Sequence, residues 1–142
     1  MKLLAHVMRN INEFNIPAGG AHGYEIMYFG VNLILMLDYR LSFDIEVKNS
    51  ERIEILIISR KKVPAWKNNN SDVKVYYNNS GVKINDVFRP TVSDSYAFVV
   101  NNRSSSINYD EVKTVEVTLI HNWQQELKES QLKDRRTTSN LT

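Results

Sequence analysis

Three histidines, His6, His22 and His121, and three aspartates, Asp86, Asp94 and Asp110, are the side chains here most suited to metal or acid–base chemistry. A zinc site needs three or four ligands, usually announced by pairs a few residues apart. These histidines are isolated, and the chain has no cysteine, so thiolate sites and disulfide frameworks are both excluded. Serine, histidine and aspartate are all available for a triad, but no G-x-S-x-G elbow or comparable nucleophile turn presents one. The aspartates fall near expected strand ends, where carboxylates bind calcium in some sandwiches. No D-x-D-x-D run concentrates them, and turn capping is the plainer role. The expectation is a non-enzyme with no metal and no cofactor.

Binding chemistry is better represented. The stretch RKKVPAWKNNN, residues 60–70, places Trp66 beside Lys61, Lys62 and Lys67. A large aromatic anchor among positive charges is a recurring composition at binding hot spots. The plainer alternative is that Trp66 folds back and caps one end of the domain. A second polar loop, residues 101–108, is rich in asparagine and serine and reads as a solvated connection. Asn69, Asn78, Asn102 and Asn140 head N-x-S/T sequons, a frequency that abundant asparagine explains by chance.

The elements that must position these residues are strands. Residues 96–100 and 112–120 are dominated by β-branched and aromatic side chains, and Val115, Val117 and Leu119 alternate with Thr114, Glu116 and Thr118. Leu41, Phe43, Ile45 and Val47 alternate in the same way with Ser42, Asp44 and Glu46, which predicts a half-buried strand. RIEILIIS, residues 52–59, is nearly continuously apolar and predicts a central strand. Further strands are predicted over residues 3–15, with a disruption near Arg9, and over 24–29, 33–38, 73–77 and 82–88. Gly30 to Asn32 is expected to break or bulge the second of these, and Asn78-Asn79-Ser80-Gly81 to close a hairpin. One helical turn is expected at residues 64–67, because proline is tolerated in a first turn.

A chain of 142 residues is one domain's worth. A net charge of +2, with basic and acidic residues interleaved, argues against nucleic acid as a partner. The N-terminal apolar patch, broken by His6 and Arg9, falls short of a secretory signal. The longest apolar run falls short of the roughly 20 residues that span a bilayer. Cytoplasmic localisation is the expectation. Residues 124–142 are highly polar and read as a helical or disordered tail, leaving residues 1–123 as an all-β antiparallel sandwich.

The order of motifs resembles the Golgi-dynamics (GOLD) domain family. Phe14-Asn15-Ile16-Pro17-Ala18-Gly19-Gly20 is similar to the family's (F/V)-x-(I/V)-P-A-G entry. Asp94-Ser95-Tyr96-Ala97-Phe98-Val99-Val100-Asn101-Asn102 is similar to its G-x-Y-x-(L/F)-V-F-D-N, and Lys113-Thr114-Val115-Glu116-Val117 to its closing K-T-V-x-V. Pro17, Gly19, Tyr96, Asn102 and Lys113 are the matching fold-motif positions. Asp94 stands where the family has glycine, and Asn101 where it has aspartate. The resemblance spans about residues 10–121 and implies a GOLD-like or jelly-roll sandwich acting as a non-catalytic protein-interaction or assembly module. The alternatives are a carbohydrate- or lipid-binding jelly roll, and a structural subunit that buries its edge strands against copies of itself.

Overall fold

A computed structural model describes residues 2–17, 23–49, 51–70, 72–103 and 112–127. Eight strands follow one another: β1 (Leu3–Ile16), β2 (Tyr24–Val31), β3 (Leu37–Val47), β4 (Ile53–Ser59), β5 (Val75–Gly81), β6 (Lys83–Phe88), β7 (Asp94–Asn101) and β8 (Lys113–Glu126). A 3-10 turn at Arg60–Lys62 and the short helix α1 (Val63–Lys67) lie between β4 and β5. One sheet has the order β1-β8-β3-β6 and the other β2-β7-β4-β5, with every pairing antiparallel. This is the strand order of an eight-stranded jelly roll, and the expected all-β sandwich is the observed fold.

Between the sheets, period-two alternation does what it predicts. Val115, Val117 and Leu119 of β8 point inward with Leu41, Phe43, Ile45 and Val47 of β3. They meet Ile53, Ile55 and Ile57 of β4 and Tyr96, Phe98 and Val100 of β7 from the opposite sheet. Each fully buried side chain of this size contributes about 1.5–3 kcal/mol. The continuous apolar run of β4 has a second cause. Its outward-facing Leu56 and Ile58, with Ala97 and Val99 of β7, form another buried cluster beneath Val63 of α1. As predicted, β4 is interior, flanked by β7 and β5.

Several expectations need correction. The predicted hairpin at residues 78–81 is absent: those residues lie within β5, which pairs with β4, while β6 pairs with β3 in the other sheet. The turn-forming composition instead fills an edge strand, where Asn78 and Asn79 hydrogen-bond Glu54 and Tyr77. Residues 33–36 are a turn, not a strand. Leu35 and Met36 donate to the Asn32 carbonyl, and Ile34 donates to Asn32 Oδ1 at 3.0 Å, an Asx-type turn that overrides the apolar run. Gly30 makes no bulge and pairs in register with Ser95. The irregularity lies in β3 between Leu37 and Arg40, where Asp38 has φ 51°. No disruption occurs at Arg9, since β1 pairs with β8 in unbroken register from Leu3↔Glu126 to Ile16↔Lys113.

β8 also runs to Glu126, three residues beyond the expected boundary at Trp123, because β1 supplies a partner for each residue. Residues 128–142 of the expected tail, Gly19 of the entry motif and the loop residues 104–111 lie outside the described residues. Among the described residues, no helix is long and apolar enough to cross a membrane.

Candidate functional site

The segment after β4 is where sequence reasoning placed binding. Pro64 sits in the first turn of α1, where its missing N–H costs nothing. The asparagine run then ends the helix. Asn69 adopts the left-handed conformation at φ 57°, and Asn70 N–H donates to the Ala65 carbonyl at 3.0 Å, closing a Schellman-type cap.

The cap fixes Trp66 against the outer face of the β2-β7-β4-β5 sheet, packed on the Leu56/Ile58/Ala97/Val99 cluster and half-buried. Tyr24 meets its ring edge-on at 5.3 Å. The Arg103 guanidinium lies over the indole at 4.0 Å and donates to the Trp66 and Lys67 carbonyls at 3.0 and 3.1 Å. A cation is well placed there, at the C-terminal end of a helical turn and on an aromatic face. Lys67 Nζ stands 5.5 Å from the Tyr24 ring. Lys61 and Lys62 are exposed on the preceding turn. The four predicted residues therefore divide: Trp66 and Lys67 join Tyr24 and Arg103, while Lys61 and Lys62 stand apart.

Beside this cluster is a cleft of about 250 Å³ lined by Trp66, Asn69, Asn70, Asn101 and Arg103. Asn101, at the position where the resembled motif has aspartate, donates to Glu54 at 2.7 Å and accepts from Arg103 N–H at 3.1 Å. Tyr24 and Arg103 were missed by sequence reasoning. Arg103 follows the Asn101-Asn102 end of a recognised motif, and nothing local pairs it with Trp66, 37 residues earlier.

The motif residues act as ties at chain crossings. Asn102 is fully buried, donating its side-chain amide to the Pro17 carbonyl at 2.9 Å and its backbone N–H to Gly23 at 2.7 Å. Lys113, also fully buried, pairs with Glu51 at 3.7 Å. Tyr96 is buried with its hydroxyl donating to the Val92 carbonyl, which pins the β6–β7 connection; burial pushes its phenol up to about 12. Asp94 needs no left-handed conformation: it opens β7 and accepts the Ser95 N–H at 2.8 Å.

The chemistry-bearing residues do not converge. His6 stacks on Trp123 and bonds Gln125 at 2.9 Å, whereas His121 is buried and bonds the Tyr39 hydroxyl through Nδ1 at 2.6 Å. Desolvation lowers the His121 pKa and raises that of Tyr39, so burial favours the neutral form of both partners, and the imidazole tautomer sets which of them donates. Asp86 accepts from Tyr77, whose phenol is pushed up to about 12 mainly by burial. His22 and Asp110 lie outside the described residues. Among the described residues, no group of three or more His, Cys, Asp or Glu could hold a metal ion.

The edges of the sandwich are the other notable surface. β1 is paired only with β8 among the described residues, and along its 14 residues Leu3, Val7, Met8 and Ile11 are exposed. Exposed apolar side chains on a long edge strand are what native edges normally avoid, and β1 carries only Arg9 and Glu13 as charged residues among them.

No protein-family model matches the chain, and no curated protein matches it. Solved structures do. A subunit of disulfide-linked pili from Bacillus endospore appendages aligns over 89% of this chain and 93% of its own, with 8% identity and a TM-score of 0.53. A mitogen from Yersinia pseudotuberculosis aligns over 90% and 94%, with 10% identity and a TM-score of 0.44. A CBM4 structure aligns over 81% and 71%, with 10% identity and a TM-score of 0.43. At 8% identity the likeness to the pilus subunit is one of fold alone.

Proposed function

We propose that this chain is a non-catalytic interaction or assembly module that joins protein through a sheet edge. The observation that carries the reading is β1, whose exposed apolar side chains and whose outer backbone edge, unpaired among the described residues, can accept another strand. The motif order similar to GOLD domains, whose members bind protein partners, supports it. So does the fold shared with a pilus subunit, although a chain without cysteine must hold its partner by other means. Capture on an immobilised copy tests this. The intact chain retains protein, either itself or another chain, and Ile11→Pro loses it. Retention unaffected by that substitution sinks the reading.

A second reading draws on the Trp66 cleft. Three asparagine amides, an indole and a guanidinium around about 250 Å³ suit a polyhydroxylated ligand such as a glycan, or a lipid headgroup. Glycan-array and vesicle-binding assays on the intact chain and on Trp66→Ala test it, and blank results on the intact chain dismiss it.

A further inference from the structure

Resting on the edge-docking reading, we propose that the occupant of the β1 edge is the β1 strand of a second copy, paired antiparallel and centred on Ile11. The backbone phase allows it. Leu127 N–H donates to the Lys2 carbonyl, which extends the β1–β8 register by one hydrogen-bonded pair. Even-numbered residues of β1 therefore bond to β8, and odd-numbered residues turn their N–H and C=O outward. Lys48 N–H donating to Thr114 agrees, because it assigns the even-numbered residues of β8 to β3.

The side chains then select the register. Pairing about Ile11 sets Arg9 opposite Glu13, Ile11 opposite itself and Val7 opposite Asn15 on the outer face of the sheet. On the inner face, Asn10 meets Asn12 and Met8 meets Phe14. Each odd residue from Val7 to Asn15 exchanges backbone hydrogen bonds with its counterpart, and the two-fold axis makes two Arg9–Glu13 pairs. Centring on Arg9 or Glu13 would oppose like charges, and centring on Val7, Met8, Asn10 or Asn12 leaves Arg9 and Glu13 apart. Within one copy, Glu13 lies opposite Glu116, an unfavourable like-charge neighbour, and neither Arg9 nor Glu13 makes an ion pair among the described residues. A second copy brings Arg9 to Glu13 and relieves this. The product is a continuous eight-stranded sheet with closed two-fold symmetry.

Sedimentation and cross-linking test the pairing. The intact chain is a dimer at high concentration. Arg9→Glu weakens it by about tenfold or more, and adding Glu13→Arg restores it. Ile11→Pro, which removes an N–H that β8 does not use, abolishes it while circular dichroism stays unchanged. Because the chain has no cysteine, Ile11→Cys gives one thiol. Its copies meet at a Cα separation of about 5.5 Å, within disulfide range, and oxidation yields a covalent dimer. Val7→Cys, whose copies lie about 27 Å apart, does not cross-link. A dimer indifferent to Arg9→Glu, or cross-linking at Val7 and not at Ile11, overturns the proposed pairing. A chain monomeric at every concentration that still loses another bound protein on Ile11→Pro overturns self-pairing and leaves edge docking intact. A monomer whose protein capture ignores Ile11→Pro overturns both.

Discussion

The outer faces of the two sheets differ in sequence pattern and in environment: β3 and β8 alternate apolar with polar residues, whereas β4 and β7 are apolar on both faces. On the β1-β8-β3-β6 sheet, Glu13, Glu116, Glu46 and Lys83 lie in one cross-strand row, and Lys48 reaches Glu116 at 3.5 Å and Glu46 at 3.9 Å. On the β2-β7-β4-β5 sheet the equivalent surface carries Leu56, Ile58, Ala97 and Val99, which are buried. Each inner face packs on the other sheet. The connection from β4 to β5 turns back as a 3-10 turn and α1 and covers its outer face, and among the described residues no helix covers the outer face of the other sheet. The segment that follows β4 thus covers the second face of β4 and of its neighbour β7.

A matched truncation on the two faces should show the largest difference. Ile58→Ala, beneath α1, is expected to cost about 3 kcal/mol by transfer and cavity terms. Ile120→Ala, on the uncovered face, is expected to cost less than about 1 kcal/mol. Urea unfolding of the pair reads both. Equal losses would mean that α1 does not seal its face. Next in size, Trp66→Ala removes the half-buried lid and should cost about 2 kcal/mol. Arg103→Ala loses contacts with the Trp66 and Tyr24 rings and two carbonyl bonds, for about 1 kcal/mol. The double variant should lose less than the sum, because the two side chains share one contact.

The smallest effect separates both outer faces from the layer between them. His121 is buried there and its pKa is lowered from 6.5 by desolvation. Above that value the imidazole is neutral in folded and unfolded chains alike. Below it the unfolded chain takes up a proton that the folded chain resists, so stability falls as pH drops through 6.5. Thermal unfolding followed across that window should show the decline, and His121→Gln should flatten it.

The inner core could be read from the sequence because period-two alternation at Leu41–Val47 and Val115–Leu119 records a buried face directly. Topology could not. In a jelly roll, successive strands mostly switch sheets, so adjacency in sequence misled at Asn78–Gly81, where turn-prone residues occupy an edge strand. Sheet membership depends on partners such as β3 for β6, about 40 residues away, which local composition does not encode. The Trp66 site was half legible. Its aromatic and its helical turn could be seen, and the asparagine run that looked like loop filler proved to be a helix cap. Tyr24 opens β2 and Arg103 follows the end of β7, and only the fold brings them to the indole.

The pairing of β1 with β8 has a consequence for how the chain is made. The two strands are separated by roughly a hundred residues, and loop-closure entropy makes such non-local pairing slow to form. At about 5–20 residues per second, a ribosome needs several seconds to a few tens of seconds to deliver β8 after β1. Through that interval β1 has neither of its edges satisfied, so the nascent strand is open on both sides. Polysomes bearing this chain would carry many such strands close together, and chaperone demand should peak just before β8 emerges.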